Sequence, residues 1–213
     1  GSLVIVGGAM RDRAIVERFL DLAGGPDAPI VMIPTAGGAE DYDQYWSGQR
    51  QFKEAGATAL FVLHTYDSSD ANTEEFVEPI RNARGVWFGG GRQCLLASSY
   101  RNPRVHEELF ALLERGGVIG GSSAGATIQG SYLARGDTET NTIMMGDHET
   151  GFGYLRGVGI DQHVLRRNRH FDLISVIEAH PELLGIGIDE NTALVVTGDQ
   201  GTVIGASYVL IYD

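Results

Sequence analysis

Five short apolar runs, at residues 3–6, 30–33, 59–63, 85–88 and 118–119, constrain this chain more than any other feature. Each is continuous rather than alternating. A strand with one wet face alternates, whereas a strand buried on both faces reads as an unbroken aliphatic run, as in parallel sheets covered by helices. The segments between them carry helical spacing. Ile15, Phe19 and Leu22 fall at i, i+4, i+7, and Val105, Leu109, Leu112 and Leu113 repeat the pattern before Gly116 and Gly117 stop it. The expected fold is therefore α/β, a doubly wound, mostly parallel sheet with helices on both faces, joined by right-handed crossovers.

From about residue 131 the texture changes. Residues 131–159 are polar, Gly-rich and weakly periodic, and predict a long structured excursion over the sheet. A helix carrying Leu173, Val176 and Ile177 follows and ends at Pro181. Runs 185–188, 193–197, 202–204 and 208–211 then predict short strands joined by tight turns, an antiparallel C-terminal appendage. With 213 residues, 43% of them hydrophobic, dispersed prolines and no repeat, the whole chain 1–213 reads as one domain.

The formal net charge of -12 would repel nucleic acid and anionic membranes, which leaves a small molecule or peptide as the expected partner. A lone cysteine, Cys94, excludes an internal disulfide framework, and no apolar run reaches the roughly 18 residues a membrane span needs. A strand-like run beginning at Leu3 leaves no room for a signal peptide, so a cytoplasmic setting is expected.

The chemistry centres on Gly121-Ser122-Ser123-Ala124-Gly125, a G-x-S-x-G pattern between a strand and a helix-compatible segment. Alone, the pattern arises often by chance. In a strand–turn–helix it has a reason: a nucleophile on so sharp a turn needs neighbours without bulk, and free N–H groups at the start of the helix face developing negative charge. Ser122 occupies the x position, which favours Ser123.

A serine needs a base, and the base an orienting carboxylate. Of six histidines, His64, His106 and His180 read as ordinary strand-end, helical or surface residues, His148 as a loop residue and His170 as a weaker candidate. His163 stands out, because it ends an apolar stretch and opens a polar cluster. For the carboxylate, Asp189 and Glu190 both follow a strand, and spacing leaves the choice open. Gly89-Gly90-Gly91-Arg92-Gln93 closes another buried strand and lets backbone N–H groups approach a ligand. It lacks the Lys-Ser/Thr of a phosphate loop, and Gly7-Gly8 is too short for a dinucleotide fingerprint.

Together these motifs resemble the serine peptidases that include cyanophycinase and the aspartyl dipeptidases (peptidase family S51), whose fold is like the class I glutamine amidotransferases. The matching segments are Val4-Ile5-Val6-Gly7-Gly8, Ile33-Pro34-Thr35-Ala36, Phe88-Gly89-Gly90-Gly91-Arg92-Gln93, Gly121-Ser122-Ser123-Ala124-Gly125-Ala126, Asp161-Gln162-His163 and Gly185-Ile186-Gly187-Ile188-Asp189-Glu190. The resemblance implies Ser123 as nucleophile, His163 as base and Glu190 as its orienter. It also implies an oxyanion hole from the N–H groups of Ala124 and of Gly90 or Gly91. For an aspartyl or β-aspartyl substrate, with cyanophycin or a small peptide as candidates, it implies contacts from Gln93, Asp161, Gln162, Arg167 and Arg169. It implies no metal and no cofactor, and a homodimer. Two positions depart from the pattern: Arg92 stands where an acidic residue is common, and Asp172 where an arginine is. Two other readings are an amidotransferase-like glutaminase, which needs a cysteine at the elbow, and a non-catalytic binding module of the same fold.

Overall fold

The computed structural model describes residues 1–101, 103–144 and 146–213. The first half alternates as the apolar runs predict: β1 (Ser2–Val6), α1 (Arg13–Ala23), β2 (Ile30–Ile33), α2 (Arg50–Glu54), β3 (Leu60–Val62), α3 (Glu74–Asn82), β4 (Gly85–Phe88), α4 (Gln93–Tyr100), α5 (Pro103–Glu114) and β5 (Val118–Ser122). The second half runs α6 (Ala124–Thr127), β6 (Gly130–Tyr132), β7 (Leu155–Gln162), α7 (Asp172–Ala179), β8 (Leu184–Ile188), β9 (Thr192–Thr197), β10 (Gln200–Gly205) and β11 (Val209–Tyr212). The larger sheet has the order β10-β9-β1-β5-β4-β2-β3, in which β1 to β5 are parallel while β9 and β10 are antiparallel.

Alternate strand residues enter two cores, which is why the runs are unbroken. Val4, Val6, Ile30, Met32 and Trp87 meet α1 and α2, whereas Leu3, Ile5, Val31, Ile33, Val86 and Phe88 meet α3, α5 and the second sheet. Helix α1 is capped by the Asp12 side chain, which accepts from the Ala14 N–H, and stops at left-handed Gly24. Its buried face is Ile15, Val16, Phe19, Leu20 and Ala23. Leu22 of the expected face is only partly covered, because the stripe that packs is rotated towards Val16 and Leu20. Phe19 lies edge-on to Trp87, with ring centroids 5.1 Å apart. Strand β3 is shorter than the apolar run around it, since it is the sheet edge and leaves Phe61 44% exposed.

A second, four-stranded sheet, β11-β8-β7-β6, departs from the expected single sheet. Five of the eight residues of β7 lie inside the segment expected to be an excursion. Residues 155–157 are half-buried or exposed and include left-handed Gly157, so they show neither a continuous run nor alternation. The C-terminal strands do not form one appendage either. β9 and β10 extend the large sheet, whereas β8 pairs parallel with β7 and antiparallel with β11 in the small one. The turn at Asp189, Glu190 and Asn191 is thus where the chain crosses from one sheet to the other. Among the described residues, no helix is long and apolar enough to cross a membrane.

Candidate active site

Strands β1, β4 and β5 of the large sheet and β7 and β8 of the small one end around a common cleft. This is where open α/β sheets place their ligands. Ser123, between β5 and α6, holds φ 57° and ψ -110°, a conformation costing on the order of 1–3 kcal/mol that only surrounding structure can sustain. Its N–H donates to Val6 O at 2.9 Å, and its carbonyl accepts from the N–H groups of Ala126 at 2.9 Å and Thr127 at 3.1 Å. The flanking glycines are required by clearance. A Cβ on Gly121 would lie 2.2 Å from Gly125 O, and one on Gly125 would lie 2.2 Å from Phe88 O.

The serine Oγ–H donates to His163 Nε2 at 2.9 Å, and His163 Nδ1–H donates to Glu190 Oε1 at 2.8 Å. That tautomer follows from the carboxylate, which can only accept. Burial lowers the His163 pKa below the ordinary 6.5, helped by Arg167 and Arg169, while the hydrogen bond to Glu190 opposes the shift without cancelling it. The imidazole is consequently neutral near pH 7 and free to accept a proton. Its backbone is left-handed at φ 54° and is tied to β1 by a His163 N–H bond to Gly7 O of 2.9 Å. Gly8 makes room for the ring. With φ 125°, it sits so close that a Cβ would fall 2.1 Å from His163 Cε1. In the Gly7-Gly8 pair, too short to bind a dinucleotide, Gly8 is therefore the clearance that admits the histidine, while a Cβ on Gly7 would fall 2.1 Å from Asp189 O.

Spacing leaves Asp189 and Glu190 equivalent, yet the crossing turn gives them different partners. Asp189 accepts from the N–H groups of Leu165 and Arg166 at 3.1 and 2.9 Å and from Ser207 Oγ at 2.7 Å. Burial pushes its pKa up, but these bonds outweigh burial and hold it below the usual range. It braces the loop after His163, and Glu190 alone reaches the imidazole.

On the other side of Ser123, the glycine loop after β4 rests on the turn after β2. A Cβ on Gly91 would lie 1.9 Å from Ala36 O, which accepts the Arg92 N–H at 2.8 Å. Gly90 passes alongside the serine, so that a Cβ there would be 3.4 Å from Ser123 Cβ. The N–H groups of Gly90, Gly91 and Ala124 have no acceptor among the described residues.

A cleft of about 450 Å³ opens beside Ser123, lined by Gln93, Arg135, Glu139, Gln162 and Arg167 among others. Three of the residues that the resemblance implies for substrate, Gln93, Gln162 and Arg167, share this wall with the serine. Asp161 and Arg169 do not: they lie behind it. Asp161 is fully buried and receives Arg135 bidentately, from Nε at 2.8 Å and Nη2 at 2.9 Å. Arg169 donates to Gln162 Oε1 at 3.0 Å. Asp172, one of the two positions that depart from the resemblance, is a second partner of Arg135 Nη2. Arg92, the other, donates Nη2 to the carbonyls of Asp137, Thr138 and Thr140 at 2.7–3.0 Å.

Arg135, like Glu139, is a cleft residue that no motif of the sequence contains. It lies in the aperiodic excursion, and the only local signal is a cation that directly follows the apolar Leu133-Ala134 pair. Replacing it with Met would leave Asp161 only the longer 3.9 Å pair with Arg169, and removing one partner of a buried ion pair costs up to about 3–5 kcal/mol. Urea unfolding of Arg135→Met against wild type checks that loss. The remaining histidines lie apart from Ser123: His64 bonds Thr35 Oγ1 at 2.8 Å, and His148 Nε2 bonds Ser98 Oγ at 3.0 Å. Cys94 is buried in α4, and the elbow carries serine.

The chain matches the model described as "Peptidase family S51" over residues 3–204. A cyanophycinase of Synechococcus elongatus is 34% identical over 226 aligned positions, which cover all of this chain and 68% of that protein. A cyanophycinase of Geminocystis herdmanii is also 34% identical, over 221 positions covering all of this chain and 80% of the relative. The crystal structure of a peptidase from an acI-B1 Actinobacterium superposes with a TM-score of 0.75 at 26% identity, over 98% of this chain and 89% of that one. With a matching family model along nearly its whole length and relatives of this similarity, the chain belongs to peptidase family S51 and is a peptidase.

Proposed function

We propose that this peptidase is serine-type and hydrolyses the isopeptide bond of small β-aspartyl peptides through an acyl-enzyme. The observation that carries the reading is the continuous relay from Ser123 Oγ through both nitrogens of His163 to Glu190. Ser123 Oγ attacks the substrate carbonyl carbon as its proton passes to His163 Nε2. Glu190 steadies the resulting imidazolium. The N–H groups of Ala124 and of Gly90 or Gly91 receive the negative oxygen, a contribution worth about 10²–10³ in turnover per donor in other acyl-transfer enzymes. His163 then returns the proton to the departing amine, leaving an ester on Ser123. A water attacks that ester, its proton goes to His163 and on to Ser123, and the aspartate leaves.

The aspartyl preference follows from charge, since an aspartyl group linked through either carboxyl keeps the other free, and the β-linkage is the reading to be tested. A β-aspartyl group keeps its α-carboxylate free, and Arg167, exposed on the cleft wall, has no carboxylate partner among the described residues. The volume suits a short peptide. Screening α- and β-linked aspartyl dipeptides and cyanophycin by mass spectrometry tests this. Cleavage of β-linked dipeptides is expected, and cleavage of α-linked ones alone contradicts the preference. The homodimer implied by the resemblance is checked by light scattering.

The working base is neutral imidazole, so its lowered pKa moves the loss of activity to lower pH. The acid limb of kcat/KM, which reports the free enzyme, is expected to have its midpoint below 6.5. A midpoint above 6.5 would contradict the assignment of His163 as a buried base.

A further inference from the structure

We infer that Glu139 is a specificity-determining residue that receives a cationic group of the substrate. The inference rests on the reading above and extends it to a second charge on the ligand.

Four charged side chains line the cleft: Arg92, Arg135, Glu139 and Arg167. Two are committed to the protein. Arg135 faces Asp161 and Asp172, and Arg92 spends its Nη2 on three backbone carbonyls. Arg167 and Glu139 have no hydrogen-bond or ion-pair partner for their side chains among the described residues. Arg92 keeps its charge but is held by those carbonyls, so the side chains of the cleft left without any bond are one cation and one anion, and the ligand that complements both carries a carboxylate and a cation.

The segment that carries Glu139 is exposed, yet its backbone is held from several sides. The carbonyls of Asp137, Thr138 and Thr140 accept from Arg92, and that of Asn141 accepts from Arg135 Nη1 at 2.8 Å. From within, the Asp137 carboxylate accepts from the Glu139 N–H at 3.1 Å and the Thr140 N–H at 2.9 Å. Thr138 is held in turn by Asp147, through its N–H at 3.0 Å and its hydroxyl at 2.5 Å. Arg92, at the start of α4, and Arg135, in the same loop, thus hold residues 137–141, and the carboxylate left over within that segment is the one on the cleft wall. Holding a recognition group on backbone that is already ordered spares the ordering cost at binding. Arg92 gains a role as well, since the charge that departs from the family's pattern positions the wall instead of meeting the substrate.

In a β-aspartyl peptide the cation has two sources, the free α-ammonium of the aspartyl group or a basic side chain on the residue released. Four substrates separate them: β-Asp-Ala carries only the ammonium, succinyl-Arg only the side-chain cation, β-Asp-Arg both and succinyl-Ala neither. Glu139→Gln keeps the shape and removes the charge. It is expected to lower kcat/KM about tenfold on the substrates whose cation Glu139 meets, the scale of one charge-assisted hydrogen bond, and to leave succinyl-Ala within about twofold. Loss on β-Asp-Ala identifies the ammonium, and loss on succinyl-Arg the side chain. Glu139→Lys is expected to deepen the same selective loss. Equal ratios of variant to wild type on all four substrates, including no change at all, would overturn the inference while leaving the peptidase reading intact. A wild-type enzyme that cleaves none of the four would remove both.

Discussion

Ser123→Ala is expected to lower kcat/KM on a β-aspartyl dipeptide by roughly 10⁴–10⁶, with secondary structure and unfolding midpoint close to wild type. The size follows from the relay: without the hydroxyl, His163 and Glu190 have no nucleophile to activate, and only substrate binding and the oxyanion donors remain. The fold survives because the elbow is held by its backbone. The Ser123 N–H bond to Val6 O and the bonds its carbonyl accepts do not involve the side chain. The left-handed backbone at Ser123 is as unfavourable for alanine as for serine, so the strain is unchanged. Circular dichroism with urea titration separates loss of chemistry from loss of fold. A variant that kept a tenth of the wild-type activity would remove Ser123 from the reaction.

Gly8→Ala is the second large effect, and it concerns a residue that carries no chemistry. Its Cβ would occupy the space of the His163 ring, 2.1 Å from Cε1 and 2.6 Å from both nitrogens. The imidazole must swing away, which breaks its bonds to Ser123 and Glu190 together. Misplacing a reacting group by about 1 Å can cost about 10²-fold, and loss of the base more, so a fall in kcat of about 10²–10⁴ is expected. Alanine at φ 125° also strains the backbone, adding on the order of 1–3 kcal/mol of destabilisation. The diagnostic readout is the His163 ring resonance, whose titration should move towards that of a solvent-exposed imidazole. Activity within threefold of wild type would mean that the ring has room the structure denies it.

What is legible in the sequence is whatever local pattern encodes. Strands β1, β2, β4 and β5 are buried on both faces, so their residues alone announce them, and the elbow is a contiguous motif whose glycines have steric reasons. The base and its orienter are not local. His163 and Glu190 reach Ser123 from the ends of β7 and β8, in a sheet that the sequence does not disclose, because β7 begins with exposed residues and β8 resembles its antiparallel neighbours. Spacing cannot separate Asp189 from Glu190, since both sit on one turn. Only the crossing between sheets directs one carboxylate to the loop after His163 and the other to the imidazole. Its place in Asp161-Gln162-His163 points Asp161 to the substrate, but the alternation of β7 turns it to the buried partner Arg135. Arg135 itself, like the Arg92 clamp, lies on contacts that join distant stretches of aperiodic chain, which no periodicity records.

The most direct test of the central claim is to trap the covalent intermediate. Wild-type enzyme mixed with an activated β-aspartyl anilide, quenched in acid within the first turnover and mapped by mass spectrometry, is predicted to carry an aspartyl adduct on the peptide containing Ser123. The same peptide from Ser123→Ala should be unmodified. An adduct on the peptide containing Cys94, or full turnover by Ser123→Ala without any adduct, would contradict the account.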